Sequence, residues 1–401
     1  MTKQKKRNRI IVSFNEFFKS ATASGVILML VTIIALFWAN SSFYESYLSL
    51  WHLEFHYTFV GYKLDLTMHQ LINDGLMDIF FFLVGLEIKR ELIIGELSSV
   101  KKAALPIIAA FGGVVVPALI YYGFNFGLPS VKGAAIPMAT DIAFALGALA
   151  LLGNKVPLGI KIFLAALAIA DDLAAVLVIA IFYTSAINIT ALAFCLVIII
   201  FLFIANRLNL QNPLVYVVLG LFLWLAMIPS GIHATIGGII TAMFVPVNSS
   251  SKRDLVKISA SPLVRIEHSL GGYVAFLIMP LFAFSNAGIR LTNINLDAIL
   301  NPVSLGIFFG LFIGKPIGIS LFVWLSLKFK LASLPENISL QKIFAVSMLC
   351  GIGFTMSLFV SNLSFEVGSI EEQFSKISIF AASLLAGVLG YFLMKFNLRN
   401  G

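Results

Sequence analysis

The sequence predicts an all-α integral membrane protein with twelve transmembrane helices, and three observations lead to this fold class. Of the 401 residues, 60% are hydrophobic and 11% are charged, whereas a soluble domain has about half and about a quarter. The mean hydropathy is +0.99, and phenylalanine alone supplies 37 residues. Twelve windows approach the roughly 20 apolar residues with which a helix crosses a bilayer. Most of the chain therefore faces lipid.

The twelve candidate spans follow one another with short connections. A basic leader, residues 1–22, precedes the first span and resembles a signal peptide, but Ala39-Asn40-Ser41 is a poor cleavage site, so we expect a retained helix. Residues 23–401 are predicted to form a single polytopic domain. The spans lie at residues 23–39, 68–87, 103–123, 134–152, 159–183, 187–205, 213–228, 232–247, 267–288, 302–325, 341–362 and 374–394.

The positive charges are distributed unequally between the two sides of the predicted membrane. If the N-terminus is cytoplasmic, 22 of the 27 lysines and arginines lie on that side, four lie on the other, and Lys315 lies within a span. Basic residues concentrate on the cytoplasmic side of membrane proteins, so both termini are predicted to be cytoplasmic. This distribution accounts for the net charge of +8 without a nucleic-acid partner. Two cysteines in apolar stretches, Cys195 and Cys350, exclude a disulfide scaffold.

The longest outward loop, residues 40–67, contains the main extramembrane feature. Residues 53–60 alternate in polarity at period two, Gly61 follows, and a second short run covers residues 62–66. This pattern predicts a β-hairpin on the outer face within about residues 45–66. An ordered loop lying on the lipid headgroups is the alternative.

Charged residues inside the spans are the main functional signal, because each costs several kcal/mol in lipid and is usually retained for function. Asp141, Asp171, Asp172 and Lys315 are central, and Asp78 lies about halfway along its span. Neighbouring helix residues point about 100° apart. One aspartate of the adjacent pair can therefore face a water-filled cavity while the other pairs with Lys315.

The helix of Lys315 is suited to close packing, because glycine recurs at every fourth residue from Gly306 to Gly318. A buried ion pair that only fixes packing is one interpretation. However, three acidic residues against one basic residue leave negative charge that a proton or a metal cation must neutralise. We therefore favour a functional site.

Two of the spans contain residues that interrupt helices. Pro137 precedes Thr140 and Asp141, and two glycines lie within residues 350–357. A break at Pro137 would free carbonyl oxygens beside a hydroxyl and a carboxylate, and hard cations such as sodium select oxygen ligands. Close packing is the alternative reason for the two glycines. Two interruptible helices in separate halves of a chain are typical of a transporter site.

Several sequence strings resemble those of the bacterial NhaA-type sodium/proton antiporter family, in order and over nearly the whole chain. They are FFLVGLEIKRE at residues 81–91, ATDIAF at 139–144, ADDL at 170–173, SGIHAT at 230–235 and PLFAFSNAG at 280–288. The resemblance implies inverted repeats and two discontinuous helices that cross near the midplane of the membrane. Asp78 has no counterpart in the family pattern.

The resemblance also implies roles for individual residues. Asp172 would be the essential cation- and proton-carrying carboxylate, with Asp171 as its partner. Lys315 would pair with Asp171 when no ion is bound. Thr140 and Asp141 would compensate the ends of the crossed helices. The candidate pH-sensing residues are Glu87, Lys89, Arg90, Glu91, Glu267 and His268.

The resulting prediction is a secondary transporter that exports sodium or lithium in exchange for protons. We expect electrogenic, pH-regulated, alternating access at the aspartate pair, without a cofactor, in the bacterial inner membrane. The resemblance further implies a homodimer formed through the outer hairpin. Three alternatives are a solute-coupled carrier, a passive channel and an intramembrane aspartyl protease. The protease requires Tyr-Asp and Gly-x-Gly-Asp motifs, which neither Asp141 nor Asp171 provides.

Overall fold

A computed structural model describes residues 23–59, 62–184, 187–247, 261–290, 300–334 and 338–399. The predicted N-terminal segment, residues 1–22, lies outside these residues. The described chain is mostly helical, and its strands form a two-stranded sheet. This composition agrees with the predicted all-α membrane class.

The α-helices of the described residues are numbered in chain order. They are α1 (Ala23–Ala39), α2 (Tyr44–Trp51), α3 (Met68–Gln70), α4 (Met77–Ile93), α5 (Val100–Asn125), α6 (Ile142–Ala150), α7 (Leu158–Phe182), α8 (Ile189–Arg207), α9 (Pro213–Met227), α10 (Ile236–Phe244), α11 (Pro262–Tyr273), α12 (Met279–Asn286), α13 (Pro302–Phe309), α14 (Lys315–Lys328), α15 (Leu340–Leu349), α16 (Phe354–Ser364) and α17 (Ile370–Asn397).

Shorter helical turns link several of these helices. Turns of 3₁₀ type cover Glu96–Ser98, Pro129–Met138, Gly153–Lys155 and Ile228–Ser230. Turns of π type cover Leu71–Leu76, Val274–Ile278 and Gly310–Gly314. Such π-turns insert an extra residue into a helix and are frequent at functional sites.

Most of the predicted spans coincide with helices that can cross a bilayer. Among the described residues, eight helices are long and apolar enough, or ten segments if each of two bent pairs is one span. The bent pairs are α1 with α2, at 116°, and α15 with α16, at 52°. The predicted span at 68–87 lies in an unbroken helical run of α3, the π-turn Leu71–Leu76 and α4, whereas the predicted span at 232–247 contains α10, which has only nine residues.

The outer segment forms an antiparallel hairpin. Strand β1 (Glu54–Phe59) pairs with β2 (Tyr62–Thr67), with Glu54 opposite Thr67. The turn residues 60–61 lie outside the described residues. The His56 ring contacts the Asp65 carboxylate across the pair, 2.7 Å from Nδ1 to Oδ1, and this hydrogen bond raises the pKa of His56. The alternating pattern therefore corresponds to paired strands.

The contacts between residues divide the chain into two compact units. The first unit draws its described residues from 1–33, 104–171 and 293–401. Within it, α5 and α14 approach closely at Gly112 and Gly318, where an added Cβ on either glycine would collide with the carbonyl oxygen of the other. The glycine-bearing helix of Lys315 thus packs as closely as its small residues predict.

The second unit draws its described residues from 34–103 and 172–292. Its apolar core is built by α4, α8, α9, α10 and α11. Fully buried members of this core include Leu86, Leu202, Leu223, Ala242 and Leu263.

Candidate ion-binding site

The adjacent aspartates lie in the middle of α7, which runs without interruption from Leu158 to Phe182. Asp171 and Asp172 are both buried, each with 3% of its surface exposed. Small buried residues surround them on the helix, among them Ala168 and Ala170. Because consecutive residues point about 100° apart, the two carboxylates leave the helix in different directions.

Lys315 is the first residue of α14 and follows directly on the π-turn Gly310–Gly314. Its side chain is fully buried, and its ammonium Nζ donates a hydrogen bond of 2.6 Å to Oδ2 of Asp171. A hydrogen bond between two ionised groups is roughly twice as strong as one between neutral groups. The structure thus brings Lys315 to Asp171.

The second carboxylate oxygen of Asp171 has a different environment. Oδ1 is buried and lies outside the ion pair with Lys315. The side chain and the backbone amide of Thr140 both act as hydrogen-bond donors beside this carboxylate. Since a buried acceptor without a donor is costly, the Asp171 carboxylate is surrounded by donors from Lys315 and Thr140.

The span that carries Asp141 is interrupted. The 3₁₀ helix Pro129–Met138 ends in extended backbone at Ala139, and α6 begins after Asp141, which is extended as well. The sequence predicts a break at Pro137, and the extended backbone begins two residues later, at Ala139. Proline has a fixed φ near −65°, which the 3₁₀ conformation accommodates, so Pro137 stays within the turn.

A second interruption separates α15 from α16 at residues 350–353. The two interruptions meet in the first unit. Thr140 donates from Oγ1 to the carbonyl oxygen of Cys350 at 2.9 Å, and the Asp141 amide donates to that of Ile352 at 2.7 Å. The last carbonyls of a helix have no partner within the helix. Here the neighbouring extended segment supplies donors for the chain that follows α15.

The Asp141 carboxylate accepts hydrogen bonds at the beginning of two helices. Oδ1 accepts from the amide of Phe144 in α6 at 3.1 Å, and Oδ2 accepts from the amide of Thr355 in α16 at 3.2 Å. The Thr355 hydroxyl also donates to Oδ2. A negative charge is favourable at the positive end of a helix dipole, so Asp141 stabilises both helix N-termini.

Thr355 is the site residue that our sequence analysis did not single out. The signal for it was present, because Thr355 lies two residues after Gly353, the second of the two glycines between α15 and α16. Ser357 joins the same two segments by donating from Oγ to the carbonyl oxygen of Ile136 at 2.8 Å. Hydroxyl residues just after a helix interruption were therefore the pattern to look for.

The candidate pH-sensing residues fall into two groups in the second unit. Arg90 Nε donates to both carboxylate oxygens of Glu267, at 2.9 and 3.0 Å, and its Nη1 donates to Glu91 at 2.6 Å. Glu87 is half-buried on the same helix, α4. Lys89 bonds to backbone carbonyls of another helix, and His268 is exposed. The structure therefore brings Arg90, Glu91 and Glu267 together, but leaves His268 apart from their hydrogen bonds.

Comparison with known proteins agrees with these features. The family model described as Na+/H+ antiporter 1 matches residues 15–394. The chain is 49% identical over 366 residues to the Na(+)/H(+) antiporter NhaA 1 of Clostridium beijerinckii, covering 90% of each chain. It is 48% identical over 356 residues to the Na(+)/H(+) antiporter NhaA of Citrobacter koseri and to that of Escherichia coli O157:H7. In both cases the match covers 87% of this chain and 89% of the relative.

The range of the family model includes the interrupted helices and α7. Such coverage supports sodium/proton exchange and excludes the aspartyl protease alternative. The chain belongs to the Na+/H+ antiporter 1 family, and it is a multi-pass membrane transporter rather than an enzyme.

Proposed function

We propose that this chain exports sodium or lithium in exchange for incoming protons, at a site formed by Asp171 and Asp172. The observation that carries the proposal is the state of the Asp171 carboxylate. One of its oxygens is held by Lys315, while the other is buried outside that ion pair, with the neutral donors of Thr140 beside the carboxylate. Such a carboxylate can exchange its ammonium partner for a metal cation.

The exchange follows from two occupants that compete for the same oxygens. Sodium prefers oxygen ligands, and the carboxylates of Asp171 and Asp172 with the hydroxyl of Thr140 are the candidates. When sodium binds from the cytoplasm, the site releases the protons that it carried. When protons bind from the outside, sodium is released there. Asp171 and Asp172 are adjacent acidic residues, so the protons that the site carries are assigned to the pair and not to one residue.

The arrangement around Asp141 supports alternating access at this site. Two discontinuous helices that cross near the membrane midplane present helix ends to the site, and Thr140 and Asp141 compensate the dipoles of those ends. Twelve transmembrane helices with inverted repeats would place both interruptions at corresponding positions of the two repeats. A compensated helix end can change its exposure to either side without leaving an unpaired charge in lipid.

The exchange is electrogenic in this proposal. If more than one proton enters for each sodium ion that leaves, net positive charge moves inward in each cycle. The membrane potential then contributes about 2.3 kcal/mol per net charge for each 100 mV. This contribution drives sodium export against its gradient and gives the protein a role in pH homeostasis.

The proposed orientation follows from the distribution of lysine and arginine. Both termini lie in the cytoplasm, and the protein resides in the bacterial inner membrane. Arg90, Glu91 and Glu267 are then close to the cytoplasmic surface, where their mutual ion pairs support a role in pH regulation. The β1–β2 hairpin lies on the outer face, where it can form a homodimer contact.

Sodium-induced proton flux in proteoliposomes tests the exchange directly. Vesicles with an acidic interior and a pH-sensitive dye receive sodium outside, at pH values from about 6.5 to 8.5. We expect sodium and lithium to collapse the gradient with wild type, and Asp171→Asn and Asp172→Asn to reduce the flux strongly. Glu371→Gln, at an exposed acidic residue of α17, is the matched control and should retain the flux.

The outcomes separate the proposal from its rivals. No response of wild type to sodium at any pH would exclude sodium/proton exchange and favour a solute-coupled carrier. Sodium movement without proton counter-flow would indicate a passive channel. An imposed potassium diffusion potential should change the rate of exchange, whereas an electroneutral exchanger would not respond.

A further inference from the structure

Asp78 is a buried acidic residue of α4 that has no role in the exchange proposed above. Its Oδ1 accepts a hydrogen bond of 2.6 Å from the backbone amide of Gly238. None of the ion pairs among the described residues includes Asp78. Its partner is therefore the backbone of α10, in which Gly238 is the third residue.

The N-terminus of α10 needs an acceptor from outside its own chain segment. With nine residues, α10 is about 13 Å long, less than half of the roughly 30 Å hydrocarbon core. One of its ends must therefore lie within the membrane, where no water is present to bind free amides. The side chain at its N-cap, Thr235, accepts no hydrogen bond from the helix. The Asp78 carboxylate supplies the missing acceptor.

The other end of α10 is bound by the same neighbouring helix. Lys89 of α4 donates from Nζ to the carbonyl oxygens of Met243 and Val245, at 2.6 Å each. An ammonium group is favourable at the negative end of a helix dipole, and an anion is favourable at the positive end. Asp78 and Lys89 are 11 residues apart on α4, about 16 Å along a helix, a distance that suits the length of α10.

Glycines bring the two helix backbones into direct contact between these ends. A Cβ added to Gly238 would collide with the carbonyl oxygen of Asp78, and one added to Gly85 would lie 2.7 Å from Cβ of Ala242. Asp78 lies near the beginning of α4 and contacts the beginning of α10, whereas Gly85 lies later in α4 and contacts Ala242, later in α10. The helices α4 and α10 thus run in the same direction, and side chains of α4 can reach both ends of α10.

We propose that Asp78 and Lys89 are positioning residues with which α4 holds α10 at both ends, and that Asp78 is a permanently ionised cap. In this arrangement Asp78 does not carry a proton during transport. The positive end of α10 neutralises the carboxylate, and Lys89 neutralises the negative end. The proposal goes beyond sodium/proton exchange and does not depend on which residues bind sodium.

Substitution of Asp78 distinguishes an ionised cap from a protonated one. The side chain in Asp78→Asn keeps an acceptor oxygen and the size of Asp78 but loses the charge, whereas Asp78→Leu loses both. We expect the thermal unfolding midpoint of the purified full chain to fall by a few degrees in Asp78→Asn and further in Asp78→Leu. Lys89→Met should lower the midpoint as well. The matched control is Glu366→Gln, at an exposed acidic residue between α16 and α17.

An unchanged midpoint in Asp78→Asn would overturn the ionised cap, since an amide replaces a protonated carboxyl without loss of charge. An equal fall in Glu366→Gln would also overturn it, because the effect would then not be specific to the α10 terminus. These measurements need no transport. They therefore remain decisive even if the proposed sodium/proton exchange fails.

The number of protons exchanged per sodium ion tests the second half of the proposal. It is obtained from the membrane potential at which net flux through proteoliposomes reverses under fixed sodium and proton gradients. We expect Asp78→Asn to transport more slowly than wild type but with the same ratio. A changed ratio would overturn the proposal, because Asp78 would then carry a proton that crosses the membrane.

Discussion

Two buried carboxylates, Asp171 in the first unit and Asp78 in the second, are neutralised by different means. Asp171 contacts the ammonium group of Lys315 through one oxygen, and its other oxygen lies outside this ion pair. Asp78 contacts the amide of Gly238 at the start of α10. A lysine side chain can move away and be replaced by a cation, but a helix terminus cannot leave the backbone. The partner of a buried carboxylate, and not the carboxylate itself, therefore determines whether a cation can replace that partner.

Asp141 resembles Asp78 in its partners, although it belongs, like Asp171, to the first unit. It binds the amides of Phe144 and Thr355 at the beginnings of two helices. Its negative charge is therefore balanced by backbone dipoles. We infer that Asp141 holds the interrupted helices in place while Asp171, with Asp172, exchanges ions.

The largest effect is expected from removing one member of the Asp171–Lys315 pair. Lys315→Met leaves a buried carboxylate without its counter-charge, and breaking a buried ion pair in this way costs about 3–5 kcal/mol of unfolding free energy. The double variant Lys315→Met with Asp171→Leu removes both charges and should recover most of this loss. Denaturant unfolding of the purified protein in detergent measures both values.

Lys328→Met is the control for this prediction, because Lys328 is exposed at the end of α14. A surface substitution of this kind should change the unfolding free energy by less than about 0.5 kcal/mol. If the double variant were as unstable as Lys315→Met, the loss would come from packing and not from the unpaired charge. The claim that Lys315 neutralises the Asp171 carboxylate would then be wrong.

A smaller loss is expected from the Thr355 hydroxyl, which donates to the Asp141 carboxylate. Thr355→Val removes this donor from a buried charge, for which about 1.5–3 kcal/mol is typical. Thr355→Ser keeps a hydroxyl and should restore most of the stability. Thr184→Val is the control, since that hydroxyl donates to the carbonyl oxygen of Ala180 one turn earlier and not to a carboxylate of the described residues. Equal losses at Thr355 and Thr184 would contradict the capping role of Asp141.

The sequence predicts ion pairs better than it predicts bonds to the backbone. The pair of Asp171 with Lys315 was foreseeable, because unlike charges at similar depth must find each other in lipid. The partner of Asp78 was not, because it is a backbone amide in the first turn of α10, which becomes available only where that helix begins. The predicted span 232–247 gave no sign that α10 starts at Ile236. Such donors are a property of the helix boundary and not of any residue type.

Substitution of Gly238 tests whether the close contact of α4 and α10 is required for Asp78 to cap α10. In Gly238→Ala the new methyl group would collide with backbone atoms of Asp78 and Phe82. Forcing extra volume into a tight contact costs about 1–3 kcal/mol. Gly271→Ala is the control in α11, where an added Cβ meets no atom. It should leave stability unchanged or raise it by up to about 1 kcal/mol, as measured by unfolding in detergent.

The smallest effect on stability is expected in the β1–β2 hairpin, where His56 and Asp65 form a pair of side chains that water surrounds. The bond to Asp65 raises the pKa of His56 above its unfolded value, so the folded hairpin binds the proton more tightly. This stabilisation is complete below the unfolded pKa of His56 and is lost as the pH rises through the higher folded pKa. Protection of the β1 and β2 amides against hydrogen exchange, corrected for intrinsic rates, should fall over this range.

His56→Gln should remove the pH dependence of this protection. An unchanged pH dependence in that variant would assign the effect to another group. The partner of His56 is thus a side chain, as the partner of Asp171 is. Its contribution to the free energy of unfolding is small, because both groups are solvated.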